Sequence, residues 1–94
     1  MTKYEIKVTG QFKKDYKLAK KQGKDIALLK EVIAKLANGE KLDRKYKDHS
    51  LTGNWIRHRE CHITSDWLLI YYYDNEVLVL TLTRLGSHSE LLNL

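Results

Sequence analysis

The spacing of apolar residues differs between the two halves of this chain, and the difference limits the folds that it can adopt. From residue 11 to residue 39, apolar side chains recur every three or four positions, as on one face of an α-helix. From residue 55 to residue 83, short runs of aromatic and β-branched residues are typical of strands. A chain of 94 residues builds one hydrophobic core. The sequence therefore predicts a single α+β domain spanning residues 1–94.

Two helices are predicted in the first half. The first covers residues 11–22 and ends at Gly23, and the second begins at the capping residue Asp25 and ends at Asn38-Gly39. Because the link between them is short, we expect an antiparallel hairpin. The apolar positions that would face the core are Phe12, Tyr16, Ala19, Ile26, Leu29, Ile33, Leu36 and Ala37.

Four strands are predicted to complete the domain. Residues 3–8 alternate polar and apolar side chains, as a half-buried strand does. Three further strands are expected in sequence, the last two joined by a tight turn at Asp74-Asn75. Their ranges are 55–63, 67–73 and 77–83. The order strand, helix, helix, strand, strand, strand predicts a helix hairpin on one face of a mostly antiparallel four-stranded sheet, and a helical turn is expected after Ser87.

Positive charge is concentrated at the N-terminus. The formal net charge is +5, and residues 1–24 hold eight lysines against Glu5 and Asp15, a net of +6, so the rest of the chain carries −1. Five of the lysines line one side of the first predicted helix or follow it: Lys13, Lys17, Lys20, Lys21 and Lys24. Such a face suits a nucleic acid or an acidic protein, although a merely solvated face has the same composition.

Other features limit the compartment and the chemistry. Cys61 is the one cysteine and cannot form an internal disulfide, and no apolar run resembles a signal peptide or a membrane span. The sequence therefore predicts a cytoplasmic protein without a membrane partner. Because there is no glycine-rich phosphate loop, nucleoside triphosphate chemistry is disfavoured.

Four histidines fall in the second half of the chain. His49 ends the irregular stretch 40–53, His58 and His62 share one face of a predicted strand with Glu60, and His88 follows the last strand. Strand ends and loops can converge over one edge of a sheet. RNA cleavage without a metal needs a base, an acid and cations, and histidine can act as either acid or base. The alternative for each histidine is a surface or capping residue without a catalytic role.

A zinc site would be the competing use of these histidines, because imidazole nitrogens and a carboxylate make tetrahedral ligands. The chain has no H-E-x-x-H or C-x-x-C spacing. We therefore predict no metal site and no cofactor.

The histidines belong to a wider pattern that matches a known family. It consists of Tyr46-Lys47-Asp48-His49, Leu51, Gly53, Trp55, Arg59-Glu60 with His62, Asp66-Trp67, Arg84, Gly86, Ser87, His88 and Leu91. With this pattern, and over essentially its whole length, the chain resembles the YafQ branch of the RelE superfamily of type II toxin–antitoxin ribonucleases. The resemblance implies a RelE-like fold and a toxin that cuts messenger RNA in the ribosomal A site without a metal. It also implies a 2′,3′-cyclic phosphate product and inactivity while a cognate antitoxin is bound in a heteromeric complex.

The resemblance also assigns site residues. The catalytic group would be His49, His62, Asp66 and His88. His88 would be the general acid, and His49 or His62 would handle the 2′-hydroxyl proton with Asp66. The substrate contacts would be Lys47, Trp67, Arg84 and Leu92.

Three of those contacts have alternatives. Trp67 would stack on a base or belong to the core, and Arg84 would hold a phosphate or form a structural salt bridge. Leu92 stands where relatives place an aromatic side chain, and Tyr72 is a candidate to replace it. Arg59 is expected on the strand face opposite His62.

Two other functions remain open. Another branch of the superfamily poisons DNA gyrase, but those relatives lack this set of histidines. A basic module that binds RNA or protein without catalysis would use the lysine face alone.

Overall fold

The computed structural model describes residues 2–92, except for the side chain of Leu92. Within these residues the elements are β1 (Glu5–Val8), α1 (Gly10–Lys21), α2 (Ile26–Ala37), β2 (His49–Ser50), β3 (Arg59–Thr64), β4 (Trp67–Asp74), β5 (Val79–Gly86) and α3 (His88–Leu92). Short 3₁₀ turns lie at Arg44–Tyr46 and Gly53–Trp55. Across the described residues, no helix is long and apolar enough to cross a lipid bilayer.

The two long helices begin and end close to the predicted positions because their capping residues act as expected. The side chain of Asp25 accepts a hydrogen bond from the backbone N–H of Leu28 at 3.0 Å, which confirms the predicted cap of α2. Thr9 caps α1 in the same way through the N–H of Phe12. Each helix is followed by a glycine with positive φ, Gly23 at 73° and Gly39 at 74°.

The sheet differs from the predicted one. It has five strands in the order β1-β5-β4-β3-β2, and it is mixed because β1 pairs with β5 in parallel while the other pairs are antiparallel. The predicted number of four strands is therefore wrong, and the parallel β1–β5 pair was not predicted, although the other three strand pairs are antiparallel. The helices carry the chain from β1 to the far edge, and three antiparallel steps bring it back beside β1. The extra strand, β2, has two residues, too few to show an alternating pattern.

The first strand is also more exposed than predicted. All four residues of β1 are exposed, including Ile6 at 42% and Val8 at 39%. The reason is its place at the edge of the sheet, where a strand has a neighbour on one side only. The alternation of residues 3–8 predicted the strand correctly but not its burial.

The central strand β4 is buried on both faces. One face meets the helices in the main core, which includes Leu29, Val32, Leu36, Leu69, Tyr71 and Leu80. The other face carries a smaller cluster of Leu68, Ile70 and Leu91, with Leu51 and Trp55 packed against it. The short helix α3 covers only part of this second face, which it contacts through Leu91. The remaining part of that face carries the histidines.

Candidate active site on the second face of the sheet

The alternation of side chains along β3 sends two polar residues to the second face. Cys61 and Ile63 are buried in the main core beneath the helices, so Glu60 and His62 point to the opposite side. Strand β2 then brings a third residue alongside, because His49 is the pairing partner of Glu60 across the two strands. A pair of strands therefore assembles residues that no local sequence motif joins.

Glu60 is the buried centre of this group, with 2% of its surface exposed. Its Oε1 atom lies 3.4 Å from His49 Nε2 and 3.7 Å from His62 Nε2. Its Oε2 atom has no hydrogen-bond partner among residues 2–92. Burying a carboxylate is costly unless it is paired, and the two imidazoles become ion-pair partners of Glu60 when they are protonated. Glu60 was not among the predicted site residues, although the strand face that it shares with His62 was an available signal in the sequence.

The ring of His49 is held by the backbone two residues earlier. Its Nδ1 atom lies 2.6 Å from the carbonyl oxygen of Lys47. A carbonyl only accepts hydrogen bonds, so Nδ1 carries the hydrogen and Nε2 is the atom presented to Glu60. Lys47 adopts a left-handed conformation with φ of 49°, which turns its carbonyl toward the ring.

His88 forms a separate pair with Asp66 at the start of α3. Asp66 Oδ1 accepts hydrogen bonds from His88 Nδ1 at 2.7 Å and from the His88 backbone N–H at 3.0 Å. These bonds, the backbone one first, lower the pKa of Asp66 below its ordinary value. An ionised Asp66 fixes the proton of His88 on Nδ1 and leaves Nε2 as its reactive atom.

The four predicted catalytic residues therefore lie together. The ring centroids of His49 and His62 are 6.2 Å apart, and those of His62 and His88 are 5.3 Å apart. A carboxylate stands at each end of this row of imidazoles, Glu60 beside His49 and His62, and Asp66 beside His88. The predicted role of Asp66 needs correction, because it contacts His88 rather than the pair proposed for the 2′-hydroxyl proton.

His58 is not part of the row. Its ring meets those of Trp55 and Tyr72 edge-on, with centroids 5.3 Å and 4.9 Å away. This agrees with its omission from the predicted catalytic group, and it places Tyr72 beside His58.

A hydrogen-bonded network anchors the segment that carries His49. The buried Tyr71 hydroxyl donates to Asp48 Oδ1 at 2.6 Å, and Arg59 donates to Asp48 at 3.2 Å and to the Ser50 hydroxyl at 2.8 Å. Burial first, and then the bond to Asp48, raises the pKa of Tyr71, so the hydroxyl remains a donor. Arg59 thus holds the short strand β2 in place through hydrogen bonds to Ser50 and to the preceding Asp48.

Arg84 forms the structural salt bridge that was its predicted alternative. Its guanidinium donates to both oxygens of Asp15, at 2.9 Å and 3.3 Å, and the Leu85 N–H adds a third bond at 3.0 Å. Burial raises the pKa of Asp15, but the hydrogen bonds from Arg84 and Leu85 outweigh it, and the pKa lies below its ordinary value. The bidentate pair leaves Arg84 without a free fork for phosphate.

Two other predicted substrate contacts do not appear in this arrangement. Trp67 is 2% exposed and belongs to the main core, which was one of its two predicted alternatives, so the other, stacking on a base, is wrong. An aromatic opening the run Trp-Leu-Leu-Ile is buried because β4 is the central strand. The side chain of Leu92 lies outside the described residues.

Basic residues border the site at a cleft. The cleft has a volume of 220 Å³ and is lined by His62, Lys45 and Lys47 together with the segment from Ile63 to Ser65. Two lysines beside the His62 imidazole give this cleft positive charge, which suits an anionic ligand such as a phosphate. The predicted contact from Lys47 is compatible with this position.

Comparison with known proteins places these features in one family. Residues 4–93 match the model of the bacterial toxin of type II toxin–antitoxin systems, YafQ. The chain is similar to the mRNA interferase toxin YafQ of Escherichia coli K12, with 39% identity over 92 residues that cover 97% of this chain and 98% of that protein.

Solved structures agree with this match. A chain of the E. coli DinJ–YafQ toxin–antitoxin complex superposes with a TM-score of 0.87 and 38% identity, covering 96% of this chain and 98% of that chain. A metal-bound toxin from Helicobacter pylori superposes with a TM-score of 0.89 and 44% identity, covering 97% and 99%. The chain belongs to the YafQ family of bacterial toxins of type II toxin–antitoxin systems.

Proposed function

We propose that this chain is an endoribonuclease that cleaves messenger RNA in the ribosomal A site. The observation that carries the proposal is the row of three imidazoles with a carboxylate at each end. The E. coli relative is named an mRNA interferase, which supports RNA as the substrate. Such a toxin acts where ribosomes are, in the cytoplasm.

The reaction that these groups support is attack of a 2′-hydroxyl on the adjacent phosphorus. The new P–O bond gives a 2′,3′-cyclic phosphate, and the broken bond releases a 5′-hydroxyl. His88 donates its Nε2 proton to the leaving 5′-oxygen, while Asp66 holds the opposite edge of the ring. Acid, base and charge are then all supplied by side chains, so the step requires no metal.

The base is a pair of groups at the other end of the row. Glu60 is too buried to meet a 2′-hydroxyl directly. His49 or His62 therefore receives the proton, and the Glu60 carboxylate stabilises the resulting imidazolium, as a carboxylate does for histidine in other hydrolases. The imidazolium and the lysines of the cleft stabilise the negative phosphorane.

A cognate antitoxin is the proposed protein partner. One similar structure is a toxin–antitoxin complex, which supports a heteromeric assembly here. The lysine face of α1 supports binding to a polyanion, either ribosomal RNA or an acidic antitoxin. Lys13, Lys17 and Lys20 border a cleft of 440 Å³ whose floor includes Val8, Phe12 and Tyr16.

The test is cleavage of a defined message on purified ribosomes, in EDTA, with wild type and with His88→Ala. We expect cuts at the A-site codon, a cyclic phosphate on the upstream fragment, and a loss of rate of about 100-fold or more in the variant. His58→Gln is the matched control because His58 lies outside the row. A His88→Ala protein that cleaves at the wild-type rate would refute the mechanism.

The two alternative functions predict other results. A gyrase poison would induce DNA-damage signalling without cutting messenger RNA. A binding module without catalysis would arrest growth equally well after joint substitution of His49, His62 and His88.

A further inference from the structure

We propose that Arg57 binds the phosphate on the 5′ side of the nucleotide whose 2′-hydroxyl attacks, and so holds the substrate RNA upstream of the cleaved bond. The identity of the ligand, a phosphate of the messenger RNA, rests on the proposed function. The structural basis is a free guanidinium in a strained turn, beside the strand that carries His49.

Arg57 occupies a backbone position that favours glycine. Residues 55–58 form a type II turn, closed by a 2.9 Å hydrogen bond from the His58 N–H to the Trp55 carbonyl. Ile56, the first central residue, has φ of −54° and ψ of 141°, and Arg57, the second, has φ of 75°. The second central position of such a turn requires positive φ and is usually glycine or asparagine. The arginine therefore strains the backbone, and strain of this kind is concentrated at functional sites.

The guanidinium of Arg57 is free to bind a ligand. Its side chain is exposed, and no acidic side chain among the described residues forms an ion pair with it. Arg59, by contrast, is occupied by Asp48 and by the Ser50 hydroxyl. Asp74 lines a cleft beside Arg57, but its carboxylate accepts a backbone N–H from its own turn. An unpaired guanidinium presents all its N–H donors, which fit the oxygens of a phosphate.

The turn that carries Arg57 lies beside the strand that carries His49. A cleft of 260 Å³ is lined by Arg57, Ser50 and Leu51. The Leu51 N–H donates to the His58 carbonyl at 3.0 Å, which ties the turn to the segment that follows His49. Leu51 lies two residues from His49, or about 6–7 Å along an extended chain. Successive phosphates of an extended RNA strand are spaced similarly, so a strand whose 2′-hydroxyl meets His49 brings its preceding phosphate to this cleft.

The direction of the RNA follows from the chemistry of the row of imidazoles. In the proposed reaction His88 protonates the leaving 5′-oxygen, so the nucleotide after the cleaved bond lies at the His88 end. His49 or His62 receives the 2′-hydroxyl proton, so the nucleotide before the bond lies at the other end. Asp66, the partner of His88, follows the last residue of β3, whereas Arg57 precedes its first residue. Arg57 therefore meets the RNA on the 5′ side.

The phosphate contact is tested first by binding, without cleavage. The probe is a short fluorescent single-stranded RNA with 2′-O-methyl groups, which cannot be cut, titrated at several salt concentrations. Arg57→Gln should weaken the affinity by about fivefold and reduce the slope of log affinity against log salt by about 0.7, the value for one phosphate on a single strand. Lys30→Gln is the matched control, because it removes one exposed charge from α2 on the other face of the sheet. Equal affinity and slope in wild type and Arg57→Gln would overturn the proposal.

Arg57→Gly separates binding from folding. Glycine adopts positive φ without steric cost, although it adds freedom to the unfolded chain, so the midpoint of urea unfolding should equal or exceed that of wild type. The affinity for the RNA probe should fall as in Arg57→Gln, and Arg57→Lys should restore part of it because the charge is kept. A less stable Arg57→Gly protein with wild-type affinity would show that the arginine serves only the turn, and would overturn the proposal.

The position on the message is tested by removing the charge of the phosphate itself. Ribosomes are programmed with a message that carries a neutral methylphosphonate on the 5′ side of the attacking nucleotide. We expect single-turnover cleavage at limiting toxin to fall about fivefold with this message in wild type, and about fivefold with the ordinary message in Arg57→Gln. Because both changes remove the same contact, their combination should cause little further loss.

The outcomes of this cycle distinguish the possible sources of the phosphate. Losses that multiply would place Arg57 against another phosphate, such as one of ribosomal RNA, and would overturn the proposal. Absence of cleavage by wild type would instead refute the proposed function. The binding titration would then still decide whether Arg57 contacts a phosphate.

Discussion

Asp66 Oδ1 accepts two hydrogen bonds from one residue, His88, at 2.7 Å from the ring and 3.0 Å from the backbone. The backbone bond fixes the start of α3 relative to the turn between β3 and β4. The ring bond holds Nδ1 of His88 against Asp66 and leaves Nε2 free of that carboxylate. One carboxylate therefore positions both the helix and the histidine that we propose as the proton donor.

Replacing Asp66 should weaken catalysis more than folding. In Asp66→Asn the amide can no longer stabilise the imidazolium of His88, so we expect cleavage to fall by about 10- to 100-fold. Asp66 is exposed, so the midpoint of denaturant unfolding should change little. Single-turnover cleavage and urea unfolding of the same preparations measure both effects. A loss of activity matched by a loss of structure would show that Asp66 only holds α3.

Replacing Asp15, which forms a salt bridge with Arg84, should weaken folding more than catalysis. Asp15→Asn removes the charge on α1 that Arg84 and the Leu85 N–H contact from the end of β5, so unfolding should become easier by about 1–3 kcal/mol. Arg84→Gln should cost a similar amount, and the double variant should cost less than the sum of the two. If Arg84 instead served mainly to hold phosphate, Arg84→Gln would lose activity without loss of stability.

The lowered pKa of Asp15 also makes a prediction about pH. A carboxyl group whose pKa falls on folding contributes stability above its ordinary pKa of 3.8, and that contribution disappears as the pH falls through the folded value. The difference in unfolding free energy between wild type and Asp15→Asn should therefore be constant near neutrality and shrink below about pH 4. Urea unfolding from pH 7 to pH 3 measures it. A difference that grows on acidification would contradict the assigned sign.

The network around Asp48 predicts a coupling between the core and His49. Tyr71→Phe removes the 2.6 Å bond to Asp48 but keeps the ring in the core, and it should destabilise the protein by about 1 kcal/mol. Because Asp48 precedes His49, we also expect slower cleavage. Tyr73→Phe is the matched control, since its hydroxyl donates to the Leu36 carbonyl and not to Asp48. Equal cleavage rates in the two variants would argue against a positioning role for this network.

The sequence predicted the features that depend on neighbouring residues. The cap at Asp25 and the glycines after each helix set the helix bounds, and the alternating runs located the strands. It failed where long-range pairing decides the outcome. The strand at His49–Ser50 exists because β3 provides its partner, and the parallel β1–β5 pair depends on where the last strand returns.

The same distinction holds for the candidate site. His49, His62, Asp66 and His88 were identified through their resemblance to a family pattern, and the structure brings them together. The direction of Asp66 toward His88 and the burial of Trp67 depend on packing that spacing does not encode. Glu60 was missed because the strand face that it shares with His62 does not reveal that β2 brings His49 to its other side and buries the carboxylate between two histidines.

Glu60 therefore provides the most informative substitution. Glu60→Gln keeps the shape of the side chain but removes the buried charge, and replacing a buried, partly unsatisfied carboxylate costs little stability or even adds some. It also removes the group that stabilises protonated His49 or His62, so cleavage should fall by about 100-fold or more. The measurement is ribosomal cleavage alongside urea unfolding, with Glu60→Asp as the control that retains the charge but shortens its reach. If Glu60 had a purely structural role, a folded Glu60→Gln protein would cleave as fast as wild type. A slow but stable Glu60→Gln variant, partly restored in Glu60→Asp, would place the charge of Glu60 in the reaction itself.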